Sequence, residues 1–180
     1  MLPAAPKDQG SRKTVSLFER VMIAVDGSKT SARAVEVGHE LAKQLGAAVA
    51  FVHVMDITKG FSPELGVADT RMLEGLRVAG VAVLDRCAHE ISPAGACGVI
   101  PVARFMCEGD PPSEIVKAAD EWRADVIVIG THARGPVARF LLGSTAEAVV
   151  RRAHCPVLTV GHTRTAASEA EREIHAAASQ

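Results

Sequence analysis

The chain lacks any run of apolar residues approaching the ~18 that a membrane-spanning helix needs. Its first stretch, MLPAAPKDQGSRKTVSLFER, lacks the apolar core of a secretory leader. No membrane partner is therefore expected, and cytoplasm is the expected compartment. No sign of charge dominates either. Lys and Arg total 20 and Asp and Glu 21, a formal net charge of −1. Nucleic-acid binders carry a net basic field, so no nucleic-acid partner is expected. Cys87, Cys97, Cys107 and Cys155 contain no C-x-x-C pair, which argues against zinc and thioredoxin-type chemistry. Their neighbours are apolar, so free, buried thiols in a reducing compartment are expected.

Catalytic signatures are missing as well. There is no GxxxxGK[ST], no GxGxxG, no HExxH and no GxSxG. The seven histidines are scattered. His53 and His132 both fall near strand ends, but a pair without a third ligand does not make a metal centre. No catalytic residue is assigned, and an enzyme is not expected.

What is present is ordinary globular material: 180 residues, 48% hydrophobic and 23% charged, suited to one domain. Residues 1–18 are polar, carry Pro3, Pro6 and Gly10, and read as a flexible arm. Val21–Val25 is a short continuous apolar run closed by Asp26-Gly27-Ser28, the pattern of a buried strand and turn. From Ser31 to Leu45 the period changes: Ala34, Val37, Leu41 and Leu45 share a helical stripe ended by Gly46. Val49–Val54 is a second strand, and residues 56–66 read as a loop. Leu73, Leu76, Val83, Leu84, Cys87 and Ile91 mark a second helix. Val99–Phe105 reads as a third strand, with Pro101 favouring an edge position. Gly109-Asp110-Pro111-Pro112 starts a helix with prolines in its first turn, and Ile115, Ala119 and Trp122 form its buried stripe. Val126–Ile129 and Pro156–Val160 complete five strands, and the Ala- and Glu-rich tail from Thr165 has no apolar stripe.

Alternating β and α elements with all-apolar strands predict a three-layer α/β/α domain, Rossmann-like, around a five-stranded parallel sheet. In such sheets ligands sit beyond the strand C-terminal ends, where strand order reverses. Asp26, Val54 and Gly130 lie at such ends. The segment Gly130 to Ser144 leaves a strand at a glycine and enters a helix at Gly143-Ser144. Glycine-bearing backbone before a helix turns several N–H groups one way, and the helix N-terminus adds partial positive charge. That arrangement suits phosphates. Ser144-x-x-Glu147 has the form of a capping box, so the Ser144 hydroxyl either caps the helix or meets a phosphate. Asp26 either supports the Gly27 turn or takes a ribose hydroxyl or a Mg²⁺ ion. Arg134 and Arg139 are either solvated or phosphate contacts. Arg151 and Arg152 are explained by the dipole of the helix they close, and Asp120 and Glu121 by a wet helix face.

Several stretches together resemble the universal stress protein family: Ile23–Ser28, Val52–Val54, Gly109–Pro111, Ala124–His132 and Cys155–Leu158. The resemblance runs from about Val21 to Val160 and implies a domain over residues 19–162, with a loose tail at 163–180. The ATP-binding branch of that family shows G-x-x-G-(x)9-G-[S/T]. Gly130, Gly143 and Ser144 fit that spacing, Ala133 replaces the second glycine, and Pro136 stands where a further glycine is common. An alanine forced to positive φ costs on the order of 1 kcal/mol. The resemblance implies that Ala24, Val25 and Asp26 line the adenosine side and that Val54 and Ile129 meet adenine, the former through backbone groups. It implies that Gly130, Ala133, Gly143, Ser144 and Thr145 hold ribose and phosphates. Read from the residues themselves, His132 is expected to order the loop by a hydrogen bond, and Arg134 is counted among the nucleotide-binding residues because it lies within that loop. The resemblance also implies ATP, with or without Mg²⁺, and a homodimer through the last strand, Pro156 to Val160. The alternatives are an ATP-independent dimeric interaction protein of the same fold and a slow ATPase.

Overall fold

The computed structural model describes residues 18–57, 61–62, 67–68, 70–91, 102–131 and 143–161. The elements run β1 (Arg20–Ala24), α1 (Lys29–Leu45), β2 (Ala48–Met55), β3 (Phe61–Ser62), β4 (Val67–Ala68) and α2 (Thr70–Ile91). They continue with β5 (Val102–Glu108), α3 (Pro111–Trp122), β6 (Val126–Gly130), α4 (Ser144–Arg152) and β7 (Val157–Val160). Five of the strands form one parallel sheet in the order β5-β2-β1-β6-β7.

The apolar runs become strands because both faces of this sheet are covered. Val21, Ile23, Val49, Phe51, Val126 and Val128 pack with Ala34, Val35, Ala42, Leu84, Cys87 and Ile91 of α1 and α2. Met22, Ala24, Ala50, Val52, Ile127 and Ile129 pack on the other face with Ile115, Val116, Ala118 and Ala119 of α3 and with Ala146 and Val149 of α4. Side chains alternate between faces along a strand, so each strand must be apolar throughout. Burying a side chain such as Phe51 or Ile23 stabilises by about 1.5–3 kcal/mol.

The sheet places β5 at an edge, as the Pro101 signal indicated, and the strand runs on to Glu108, past the expected end at Phe105, while residues 99–101 lie outside the described residues. Residues 56–66 are not wholly a loop, because Phe61–Ser62 pairs antiparallel with Val67–Ala68. Trp122 is half-buried. Its ring meets Phe105 edge-on at 6.5 Å, and the Arg20 guanidinium lies 5.9 Å from its centroid. Cys87 is buried, Cys107 and Cys155 are half-buried, and all three are free. Burial pushes each thiol above its ordinary range, with carboxylates near Cys107 and Cys155 adding to the effect. Phe18, the last residue of the expected arm, is instead half-buried against the α1/α2 face of the core, while residues 1–17, Cys97 and the C-terminal tail lie outside the described residues.

Candidate functional site

Strand order reverses between β1 and β6, and a cleft of about 300 Å³ opens there at the strand C-terminal ends. Ala24, Val25, Asp26, Val54, Ile129, Gly130, Gly143, Ser144 and Thr145, all singled out in the sequence, line it together. His132, Ala133 and Arg134 lie outside the described residues. The cleft sits on the α3/α4 side of the sheet, since its apolar wall comes from Ala24, Val52, Ile115, Ile129 and Ala146.

Its two β-to-α connections are built differently. After β1 the chain turns at Asp26-Gly27-Ser28. Asp26 Oδ1 accepts from the Ser28 amide at 2.9 Å, and Gly27 takes φ +77°. Ser28 then caps α1, its Oγ accepting from the Ser31 amide at 3.2 Å. The expected turn role of Asp26 is therefore visible, and its carboxylate still borders the cleft.

After β6, Gly130 has a packing reason of its own. A Cβ there would stand 2.7 Å from the backbone C and O of Thr30, so the start of α1 lies directly against it. Thr131 follows, buried, with its amide donating to Val160 O at 2.8 Å. At the far end of this connection the expected capping box is absent. The N-cap is Gly143, not Ser144, and α4 begins without a side-chain cap. Ser144 is the first residue inside the helix and is exposed, so its hydroxyl cannot play the N-cap role that the S-x-x-E pattern implied. By contrast, α3 is capped by Asp110, whose Oδ2 accepts from the Ser113 amide at 3.3 Å.

The sequence did not assign Ser28, Thr30, Ser31, Asp56, Pro111 and Ile115 to the site, and they also line the cleft. Hydroxyl residues directly after a strand-ending Asp-Gly turn were the available signal for the first three. Proline at the start of α3 marked a helix N-terminus at the same end of the sheet. His53, on the opposite face, has its Nδ1 2.8 Å from Val25 O. Arg152 reaches away from its own helix to Ser113 Oγ at 3.0 Å and Asp110 Oδ2 at 3.6 Å, while Arg151 pairs with Glu147 at 3.0 Å. Asp120 is paired with His154 at 3.0 Å. Among the described residues no group of three or more His, Cys, Asp or Glu could hold a metal ion. No helix of the described residues is long and apolar enough to cross a membrane.

An α/β domain with its crevice at a strand-order reversal defines a ligand-binding class rather than one activity. Comparison with known proteins narrows it: the sequence pattern of the universal stress protein family matches residues 17–161, and the chain belongs to that family. A universal stress protein of Methanocaldococcus jannaschii is 33% identical over 153 residues, 83% of this chain and 85% of that one. A family member from Burkholderia pseudomallei, 30% identical, matches in structure with a TM-score of 0.60 over 80% of this chain and 96% of its own. A universal stress protein solved in complex with cAMP is 28% identical with a TM-score of 0.61, over 83% of this chain and all 100% of that one. Another, from Archaeoglobus fulgidus in complex with dAMP, is 26% identical with a TM-score of 0.55, over 80% of this chain and 98% of its own.

Proposed function

We propose that the cleft binds an adenine nucleotide, ATP among them, and that the protein acts as a nucleotide-responsive stress-response regulator rather than an enzyme. One observation carries the reading. Of the three helices that begin at the cleft, only α4 enters it without a side-chain cap, at Gly143. Its first amides and its dipole then suit an outside anion. The adenosine end falls to Ala24, Val25, Val54 and Ile129, and the ribose to Asp26 and Gly130. The phosphates fall to Gly143, Ser144 and Thr145, with Ala133, Arg134 and His132 completing the loop. The relatives solved with cAMP and dAMP support the adenine class.

A Mg²⁺ ion would find Asp26 and Asp56 at the cleft but, among the described residues, no full protein ligand set, so it would arrive with the phosphates. The proposal includes a domain over residues 19–162 and a homodimer through β7. β7 is a sheet edge that exposes Leu158, and such an edge invites a twofold partner. Cytoplasmic placement belongs to it too, supported by free thiols at Cys87, Cys107 and Cys155.

Isothermal titration of the purified protein with AMP, ADP and Mg-ATP tests the reading, and saturable heat with at least one is expected. No heat from any of them at millimolar ligand removes it. A second reading, an ATP-independent dimeric interaction protein, is favoured by the Asp26 carboxylate already serving its own turn. Under that reading the protein sediments as a dimer and carries no nucleotide when mass spectrometry is run on the fresh preparation.

A further inference from the structure

His53 lies on β2 with its side chain on the α2 side of the sheet, opposite the cleft. A Cβ on Gly80 of α2 would stand 2.6 Å from its Cδ2 and 2.7 Å from Met106 Cε, so the ring packs against bare helix backbone. A glycine inside a helix is costly relative to alanine, and room for this ring accounts for it. From there Nδ1 reaches Val25 O at 2.8 Å. A carbonyl only accepts, so Nδ1 carries the proton and the ring donates.

That bond replaces one the sheet would otherwise make. Ala24 pairs with Val52, so Val25 continues the register opposite His53. The Val25 amide keeps the ladder pattern, donating to Val52 O at 2.9 Å. In a regular parallel ladder the Val25 carbonyl would then accept from the amide of Val54. Among the described residues that bond is not formed, and the carbonyl meets the imidazole. The Val54 N–H, on the β1 side of β2, is left directed past the end of β1, and Val54 and Val25 both line the cleft there.

We propose that His53 is a positioning residue: from behind the sheet it occupies the Val25 carbonyl and so keeps the Val54 amide available to a ligand acceptor. This deepens the adenine-nucleotide reading and rests on it, because a ring nitrogen of adenine is the acceptor that amide would meet. The second support of the same wall is Gly27, where a Cβ would lie 3.2 Å from Val83 Cγ2, so α2 backs both the turn and the imidazole.

The test uses the full chain with His53→Leu, His53→Asn and Gly80→Ala. Leucine fills the space without a donor. In asparagine the Nδ2 hangs from Cγ as Nδ1 does in histidine, so the donor returns. AMP is titrated, while ¹⁵N spectra report the His53 tautomer and the shift and hydrogen exchange of the Val54 amide. With leucine, AMP affinity is expected to fall about 5- to 10-fold, the loss of one hydrogen bond. The Val54 amide is expected to exchange more slowly as it recaptures the Val25 carbonyl. Asparagine restores both readouts, and Gly80→Ala, which pushes the ring aside, shifts both in the direction of leucine. If none of AMP, ADP and Mg-ATP binds the parent, the nucleotide reading fails. The slowed Val54 exchange in leucine and its return in asparagine then still support the positioning role. Nδ1 unprotonated in the parent, or a leucine variant with Val54 exchange unchanged, overturns the proposal.

Discussion

The two connections that frame the cleft make opposite use of their own side chains. From β1 to α1 the chain closes on itself: Asp26 takes the Ser28 amide, Ser28 takes the Ser31 amide, and the Ser31 hydroxyl donates to Ser28 O at 3.1 Å. From β6 to α4 the chain reaches its helix through Gly143 with no side chain in the cap position. Backbone donors at a helix start must be satisfied by something. On the first side the protein supplies the acceptors. On the second the cap residue has no side chain to supply one, and under the proposed function the ligand does so. Under the proposed function the difference separates a wall that positions from a mouth that binds.

The largest expected effect comes from forcing the two sides apart. In Gly130→Ala the new methyl meets the Thr30 backbone, which has no side-chain freedom to yield. A loss of about 1–3 kcal/mol is expected, as for overpacked cores. Urea denaturation followed by circular dichroism measures it, and an unchanged midpoint would mean that α1 is free to move away from β6. Next is Gly143→Asp, which gives α4 the cap it lacks. A gain of a few tenths of a kcal/mol in stability is expected, with nucleotide affinity down by about tenfold or more as the carboxylate occupies and repels. Calorimetry against AMP reads the second effect, and equal affinity would erase the contrast between the two connections. Ser28→Ala removes the cap that α1 does have and is expected to cost about 1 kcal/mol, visible as a lowered melting temperature. The smallest is Arg152→Ala. Its exposed contacts to Ser113 and Asp110 are expected to contribute about 0.2–1 kcal/mol, declining with added salt. Denaturation at low and high salt checks that decline.

Strands β1, β2 and β6 were legible because a doubly covered parallel sheet needs uninterrupted apolar runs, and few other elements have that need. The mouth of the cleft was legible through Asp26, Gly130 and Gly143, since turn chemistry is local. The start of α4 was misread for the same reason. Ser144-x-x-Glu147 satisfies the capping pattern, but which residue leaves helical geometry depends on how the preceding chain arrives, and Gly143 is the one that does. His53 and Gly80 escaped because their significance is a meeting across the sheet, and Val25, His53 and Gly80 are far apart in the chain. Gly130 looked like a ligand glycine alone, and only packing reveals that Thr30 also needs the space.

The contact between Gly130 and the first turn of α1 has a mechanical consequence. Backbone lies directly on backbone there, so β6 and α1 have little room to approach each other further, and that flank of the crevice is expected to behave as a fixed jaw. A bulkier occupant must then be accommodated by displacement of α3 or α4. Differences in ligand size among relatives of this protein should therefore register in those two helices and hardly at all in α1.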